Sequence, residues 1–124
     1  MKVLVVDDEK DVRYLFEQKF RKEIKSGEMI FSFAYSGMEA LDYIHLHSQE
    51  AVLILSDINM PGMSGLDLLK AIKEENPDPP PVVMMITAYG DQQNRDSAMQ
   101  LGADDFLTKP VDFNQLKIKL KNIV

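Results

Sequence analysis

Residues 52–57 read VLILSD, an apolar run that ends in a hydroxyl and a carboxylate. A second run of the same kind, VLVVDD, occupies residues 3–8 and ends in two carboxylates. Nearly continuous apolar runs of this length are typical of parallel strands that are covered by helices on both faces. The two runs therefore predict the central strands of a parallel sheet, with acidic side chains at the carboxyl end of each.

Three further strand candidates lie around these runs, and longer segments of helical period separate all five. The predicted strands are Val3 to Val6, Ile30 to Ala34, Val52 to Ser56, Val82 to Thr87, and Asp105 to Thr108. Regular alternation of strands and helices predicts a single doubly wound α/β domain. Right-handed crossovers favour the strand order 2-1-3-4-5, a flavodoxin-like (βα)5 fold in which strands 1 and 3 are neighbours.

Five helices are predicted from the apolar periodicity. The first carries an apolar stripe of Val12, Leu15, Phe16, Phe20 and Ile24. The others are predicted from Ser36, from Ser64 to a break at Pro77, from Asp91 to Leu101, and from Asp112 to Ile123. In the last of them, Phe113, Leu116, Leu120 and Ile123 are predicted to face inward, and residues 78–81 predict a stiff connector into the fourth strand.

Composition narrows the function classes. The 124 residues carry 14 Lys plus Arg against 20 Asp plus Glu, a formal net charge of −6, which disfavours direct binding to nucleic acid. The absence of cysteine excludes disulfides, thiolate catalysis and Cys-ligated zinc. No apolar run approaches the roughly 20 residues that span a bilayer, and the N-terminus lacks a signal-peptide layout. We therefore expect residues 1–124 to form one cytoplasmic domain without a membrane segment.

Polar residues follow the predicted strands at one edge of the sheet. Asp7 and Asp8 follow the first strand, Asp57 the third, Thr87 the fourth and Lys109 the fifth. Three carboxylates in one crevice repel each other unless a cation lies among them, and oxygen ligands without His or Cys favour Mg²⁺. A hydroxyl, a backbone N–H and an ammonium group beside a metal predict a cradle for a phosphoryl group.

These residues resemble the CheY-like receiver domain of two-component response regulators, and the resemblance covers essentially the whole chain. The motifs that carry it are Val5-Val6-Asp7-Asp8-Glu9, Asp57-Ile58-Asn59-Met60-Pro61-Gly62-Met63-Ser64-Gly65, Thr87-Ala88 and Lys109-Pro110. The resemblance implies that residues 1–124 form a response regulator receiver domain. It also implies that Asp57 is the phosphoacceptor. The resemblance also implies a Mg²⁺ site. Its direct ligands are Asp8, Asp57 and the backbone carbonyl of Asn59, and Asp7 contributes through a water.

The resemblance further implies how the phosphoryl group is held and sensed. The implied phosphoryl-binding groups are Thr87, the Ala88 N–H and Lys109. Thr87 and Phe106 are the implied switch residues, and the bond between Lys109 and Pro110 is implied to be cis. The implied partners are a sensor histidine kinase or phosphotransfer protein and a downstream output domain or protein, which reads the surface of the fourth helix, fifth strand and fifth helix.

On this basis the chain is expected to be a signalling switch that promotes its own phosphorylation and dephosphorylation, and not a turnover enzyme. One alternative is a Mg²⁺-dependent phosphatase with an aspartate nucleophile; that class needs a second Asp where this chain has Asn59. Others are a pseudo-receiver that acts only as an interaction module and an FMN carrier of the same topology.

Asp104, Asp105 and Lys119 also resemble part of the charge pattern of dimerising regulators, from which Gln115 and Val111 depart. A weak homodimer through the same surface is therefore a further alternative.

Overall fold

The computed structural model describes residues 1–75 and 81–123. In these ranges the elements are β1 Lys2–Val6, α1 Val12–Lys19, α2 Arg21–Ser26, β2 Ile30–Ala34, α3 Gly37–Leu46, β3 Val52–Asp57, α4 Gly65–Glu75, β4 Val83–Thr87, α5 Gln92–Gln100, β5 Asp105–Thr108 and α6 Phe113–Ile123. The predicted break at Pro77 and most of the predicted connector at 78–81 lie outside the described residues. No helix in the described ranges is both long enough and apolar enough to cross a membrane.

The five strands form one parallel sheet of order β2-β1-β3-β4-β5, which confirms the predicted fold. β1 pairs with β2 on one side and with β3 on the other, in continuous register along its length. Val3 to Val6, Leu53 to Leu55 and all of β4 are buried, as strands covered on both faces should be. The two runs that predicted the sheet are therefore its centre, and their carboxyl ends lie side by side.

The two faces of the sheet build two hydrophobic cores because successive side chains of a strand point to opposite sides. One core joins Leu4, Val6, Ile54 and Met85 of the sheet with Ala40, Leu68, Leu69, Ile72 and Ala98 of α3, α4 and α5. The other joins Val3, Val5, Leu55 and Met84 with Phe16, Phe20, Leu116 and Leu120. Helices on both faces thus hold the strand ends in a fixed arrangement.

The first predicted helix is divided in the structure. α1 ends at Lys19 and α2 begins at Arg21; the backbone of Phe20 between them leaves helical geometry, with φ −107° and ψ 23°. The Phe20 ring stays buried, with its centroid 5.9 Å from that of Phe16 and 4.8 Å from that of Phe31 on β2. The Phe20 ring therefore stays in the aromatic cluster although its backbone interrupts the helix.

Three predicted inward positions are wrong. Leu15 is 42% exposed because it lies one residue, about 100° around the helix, from Phe16, the buried residue of α1. Ile24 is 37% exposed because it lies beyond the break at Phe20, where the periodicity of α1 no longer applies. Ile123 is 40% exposed; it is the last residue of α6, whose buried residues are Leu116 and Leu120. The boundaries also differ by a residue at several ends: β1 begins at Lys2, β3 includes Asp57, and β4 begins at Val83.

Candidate functional site

The carboxyl ends of β1 and β3 bring three carboxylates together. One oxygen each from Asp7, Asp8 and Asp57 lies within 4.8 Å of the other two. Asp57 and Asp7 are 2% and 7% exposed, whereas Asp8 is open to solvent. The register that pairs Val6 with Ser56 places the residues after both strands next to each other. An acidic cluster without His or Cys fits a hard divalent cation.

Both carboxylate oxygens of Asp57 have donors. Oδ1 accepts a hydrogen bond from the backbone N–H of Asn59 at 3.2 Å, and Oδ2 accepts one from Nζ of Lys109 at 2.6 Å. Lys109 follows β5, and the peptide bond between it and Pro110 is cis. These two contacts set the orientation of the Asp57 carboxylate with a loop on one side and an ammonium group on the other.

The charges of the cluster alter two acid–base equilibria. Burial raises the pKa of Asp7, the hydrogen bond from the Glu9 N–H lowers it, and repulsion by Asp57 raises it again, so that the pKa lies above its ordinary value. Burial lowers the pKa of Lys109, but its hydrogen bond with Asp57 and the attraction of Asp57 and Asp7 outweigh that effect and leave it raised. The site therefore keeps its ammonium group and still has an excess of negative charge.

The loop after Asp57 folds back onto the end of its own strand. The backbone N–H of Gly65 donates to the carbonyl of Ile58 at 2.7 Å, and a Cβ on Gly65 would lie 2.1 Å from the carbonyl oxygen of Asp57. Ser64 and Asp67 form a reciprocal capping box at the start of α4, with both hydrogen bonds at 3.2 Å. The start of α4 thus rests directly on the backbone that carries the Asp57 carboxylate.

Gly65 is a site residue whose contact could not be predicted from the sequence. The one local signal is a glycine in the first turn of a helix, where it lowers helix stability and indicates a close backbone approach. Gly37 is similar, because a Cβ there would lie 2.6 Å from Sδ of Met63, in the same loop as Asn59. Gly65 thus allows close packing against the end of β3, and Gly37 allows close packing of α3 against the Met63 side chain.

Thr87 ends β4, next to β3, and is 1% exposed. Its Oγ1 is buried and has no hydrogen-bond partner among the described residues. Buried polar atoms are normally paired, so this hydroxyl indicates a place for a polar ligand at the same edge of the sheet. Ala88 follows it and is exposed.

Phe106 is in β5, the edge strand on the far side of β4 from Asp57. It is half-buried in β5, where it pairs with Met85 of β4, two positions before the pairing of Thr87 with Thr108. In register, Phe106, Met85 and Thr87 point to the same face of the sheet. The structure thus brings Asp7, Asp8, Asp57 and Lys109 together, and it places Phe106 in the adjacent core.

A parallel sheet of order 2-1-3-4-5 with an acidic pocket at its carboxyl edge defines the class as a doubly wound α/β domain with a candidate cation site. The family model of the response regulator receiver domain matches residues 3–121. The chain therefore belongs to the response regulator receiver domain family. It is a two-component receiver domain and not a turnover enzyme, which decides against the phosphatase and the FMN carrier. Its acidic triad is typical of the receiver Mg²⁺ site.

Similar proteins agree with this assignment. Response regulator RppA of Synechocystis sp. is 32% identical over 121 residues, which are 98% of this chain and 49% of RppA. Response regulator protein PilR of Pseudomonas aeruginosa is 40% identical over 117 residues, 94% of this chain and 24% of PilR. The crystal structure of a response regulator receiver domain protein from Clostridium thermocellum matches with a TM-score of 0.84 at 30% identity, covering 98% of this chain and 91% of that one. The chain spans about half or less of these two curated relatives.

Proposed function

We propose that this domain is a phosphorylation-dependent switch in which Asp57 accepts a phosphoryl group from a phosphohistidine. The donor is a sensor histidine kinase or a phosphotransfer protein, and a downstream output domain or protein reads the result. The observation that best supports the proposal is the environment of Asp57. Its carboxylate is buried within an acidic cluster and lies 2.6 Å from Nζ of Lys109, which can neutralise an arriving phosphoryl group.

Mg²⁺ is the proposed cofactor. Asp7, Asp8 and Asp57 would hold it together with the backbone carbonyl of Asn59, because carboxylate and carbonyl oxygens are the ligands that Mg²⁺ prefers. When bound, the cation neutralises negative charge on the oxygens of the transferring phosphoryl group. Three carboxylates, one Mg²⁺ and the Lys109 ammonium balance electrically, which supports this composition of the site.

The residues of the chain have distinct tasks in the proposed transfer. A carboxylate oxygen of Asp57 attacks phosphorus in line with the imidazole nitrogen of the donor; the O–P bond forms as the P–N bond breaks, and the nitrogen keeps the electron pair. Lys109 turns from the carboxylate to the incoming phosphoryl oxygens. The Thr87 hydroxyl and the Ala88 N–H donate to the same oxygens. Positioning and electrostatic stabilisation supply most of the rate enhancement.

The readout is proposed to be the α5–β5–α6 face, which consists of α5, β5 and α6. These are the fourth predicted helix, the fifth predicted strand and the fifth predicted helix; the helix numbers are one higher because the first predicted helix is divided into α1 and α2. The hydroxyl of Thr87 moves toward the phosphoryl group, and the ring of Phe106 rotates inward into the space beside it. A homodimer through this face stays a prediction. Two of its charges are already paired within the chain, because Lys119 donates to both carboxylate oxygens of Asp105 at 3.0 and 2.9 Å.

Acetyl phosphate tests the proposed function without a kinase. With Mg²⁺ present, the intact mass of the protein is expected to increase by one phosphoryl group, and removal of Mg²⁺ by EDTA is expected to prevent the increase. No increase in the presence of Mg²⁺ would support the pseudo-receiver instead. Steady release of product from a chromogenic phosphate ester would contradict the assignment as a non-turnover domain.

The raised pKa of Asp7 predicts that stabilisation by Mg²⁺ declines on acidification. Ionised Asp7 destabilises the metal-free fold; this effect is present above the raised pKa and disappears as the pH falls through it. A bound cation offsets the destabilisation caused by ionised Asp7, and it also stabilises the folded state by mass action. We therefore expect the Mg²⁺-induced rise in Tm to be largest at neutral pH and smaller at an acidic pH close to the ordinary pKa of an aspartate.

Thermal unfolding with and without Mg²⁺ at the two pH values measures this difference. In Asp7→Asn, Mg²⁺ is expected to raise the Tm by less than in the unaltered protein. At pH values above the ordinary pKa of an aspartate, this rise in Tm is also expected to depend less on pH. A rise that grows on acidification in the unaltered protein would contradict the prediction.

Tyr89 is expected to lengthen the life of the acyl phosphate. It lies two residues after Thr87 and is 88% exposed, so its ring is free to cover the phosphoryl group and restrict access by water. Tyr89→Ala is expected to lose the phosphoryl group a few-fold faster, measured as the decay of the phosphorylated mass after acetyl phosphate is removed. Tyr14→Ala, which alters a tyrosine 72% exposed on α1, is the control. An unchanged or slower decay in Tyr89→Ala would rule out shielding.

A further inference from the structure

The guanidinium of Arg95 lies over the ring of Phe106. The distance from Cζ to the ring centroid is 5.3 Å, within the range of a cation–π interaction. Arg95 belongs to α5 and is exposed, whereas Phe106 belongs to β5 and is half-buried. The contact therefore covers the outer side of a ring whose inner side packs against the core of α3, α4 and α5.

The carboxylate nearest to the ring in sequence is engaged elsewhere. Lys119 of α6 donates to both oxygens of Asp105, and the backbone N–H of Phe106 donates to Oδ1 of Asp105 at 2.7 Å. The Asp105 carboxylate thus already has hydrogen-bond donors from α6 and from its own strand. Arg95 adds a longer-range attraction to this carboxylate, but its close contact is with the ring.

An inward rotation of Phe106 separates the ring from Arg95. The β4–β5 register directs Phe106 to the same face as Met85 and Thr87. Thr87 is 1% exposed and its Oγ1 has no partner among the described residues, so a ligand that binds this hydroxyl alters the space beside it. The cation–π contact belongs to the ring position that the structure shows, which we call outward; the proposed inward rotation would break it.

We propose that Arg95 is a positioning residue: by holding Phe106 outward, it sets how tightly the Asp57 site binds a phosphoryl group. This rests on the proposed function of that site. Because the two equilibria are linked, a contact that favours the outward ring weakens phosphoryl binding by the same factor. An exposed cation–π contact corresponds to a factor of about two to five in that equilibrium.

The test uses beryllium fluoride with Mg²⁺, an analogue of the acyl phosphate, titrated while amide resonances of the site are followed by NMR. Arg95→Gln is expected to be half-saturated at a concentration about two- to five-fold lower than the unaltered protein, with Arg95→Lys between them. Arg13→Gln is the matched control, because Cζ of Arg13 lies 5.4 Å from the ring centroid of Phe33 at the opposite edge of the sheet. It is expected to bind the analogue like the unaltered protein.

The outcomes distinguish failure of the role of Arg95 from failure of the proposed function. Equal half-saturation in Arg95→Gln and the unaltered protein overturns the role of Arg95, and so does an equal gain in Arg13→Gln, because loss of any surface cation would then suffice. An unaltered protein that does not bind the analogue contradicts the proposed function, and the role of Arg95 is overturned with it. Urea unfolding separates the effect from stability, since both arginine variants are expected to lose stability to a similar, small extent. If Arg95→Gln does not fold, Arg95→Lys must still show the smaller gain.

Discussion

Asp57→Asn is expected to abolish labelling by acetyl phosphate under conditions in which the unaltered protein gains one phosphoryl mass. The carboxylate oxygen is the proposed nucleophile, and an amide in its place is too weak to attack phosphorus. The change also removes one of the three negative charges that fit Mg²⁺. Labelling should therefore fall to background, and intact-protein mass spectrometry after a time course measures it.

The fold is expected to survive this substitution. An amide has the same shape as a carboxylate, and its oxygen can still accept a hydrogen bond from Lys109 or Asn59, while repulsion within the acidic cluster decreases. Urea unfolding of the metal-free protein should therefore show no loss of stability. Asp42→Asn, which removes an exposed carboxylate on α3, is expected to label like the unaltered protein. If Asp57→Asn still gained a phosphoryl mass, a residue other than Asp57 would be the phosphoacceptor.

Gly65→Ala is expected to lower the free energy of unfolding by about 3 kcal/mol, the upper range for overpacking. A Cβ there would lie 2.1 Å from the carbonyl oxygen of Asp57 and 2.6 Å from Cα of Ile58, and both are backbone atoms that cannot turn aside. Relief requires α4 to move away from β3, which weakens the 2.7 Å hydrogen bond from Gly65 to Ile58. Since domains are stable by about 5–15 kcal/mol, this is a large fraction of the total.

The same displacement moves the backbone that carries the phosphoacceptor. The fraction of Gly65→Ala that stays folded is therefore expected to label with acetyl phosphate more slowly. Gly27→Ala separates close contact from backbone strain, because Gly27 has φ +81° and open space where a Cβ would be. Strain alone should lower the free energy of unfolding by about 1–2 kcal/mol and leave labelling unchanged. Equal stability of Gly65→Ala and the unaltered protein, by urea unfolding, would contradict the close contact.

Local patterns predicted the sheet and the strand ends because both depend on residues close in sequence. An apolar run followed by a carboxylate identifies a buried strand and the edge at which it ends, so Asp7, Asp8 and Asp57 could be assigned to one crevice. The exposure of Leu15 and the division of the first helix at Phe20 were not predicted. The stripe continues through Phe20, but the break depends on how its ring packs against Phe16 and Phe31.

By itself, the sequence determined the fold class, the order of the strands, the acidic edge and the resemblance to receiver domains. The fold class and the acidic edge follow from hydrophobic periodicity and from residue types at strand ends, which are properties of short segments. The strand order follows from the right-handedness of the crossovers. The tertiary structure decided which atoms meet: Lys109 with Asp57 across 52 residues, Gly65 against the Asp57 carbonyl, and Arg95 over the Phe106 ring. Such contacts depend on the register of neighbouring strands and on the packing of a helix against the sheet to within an ångström. No local pattern in the chain encodes distances of that kind.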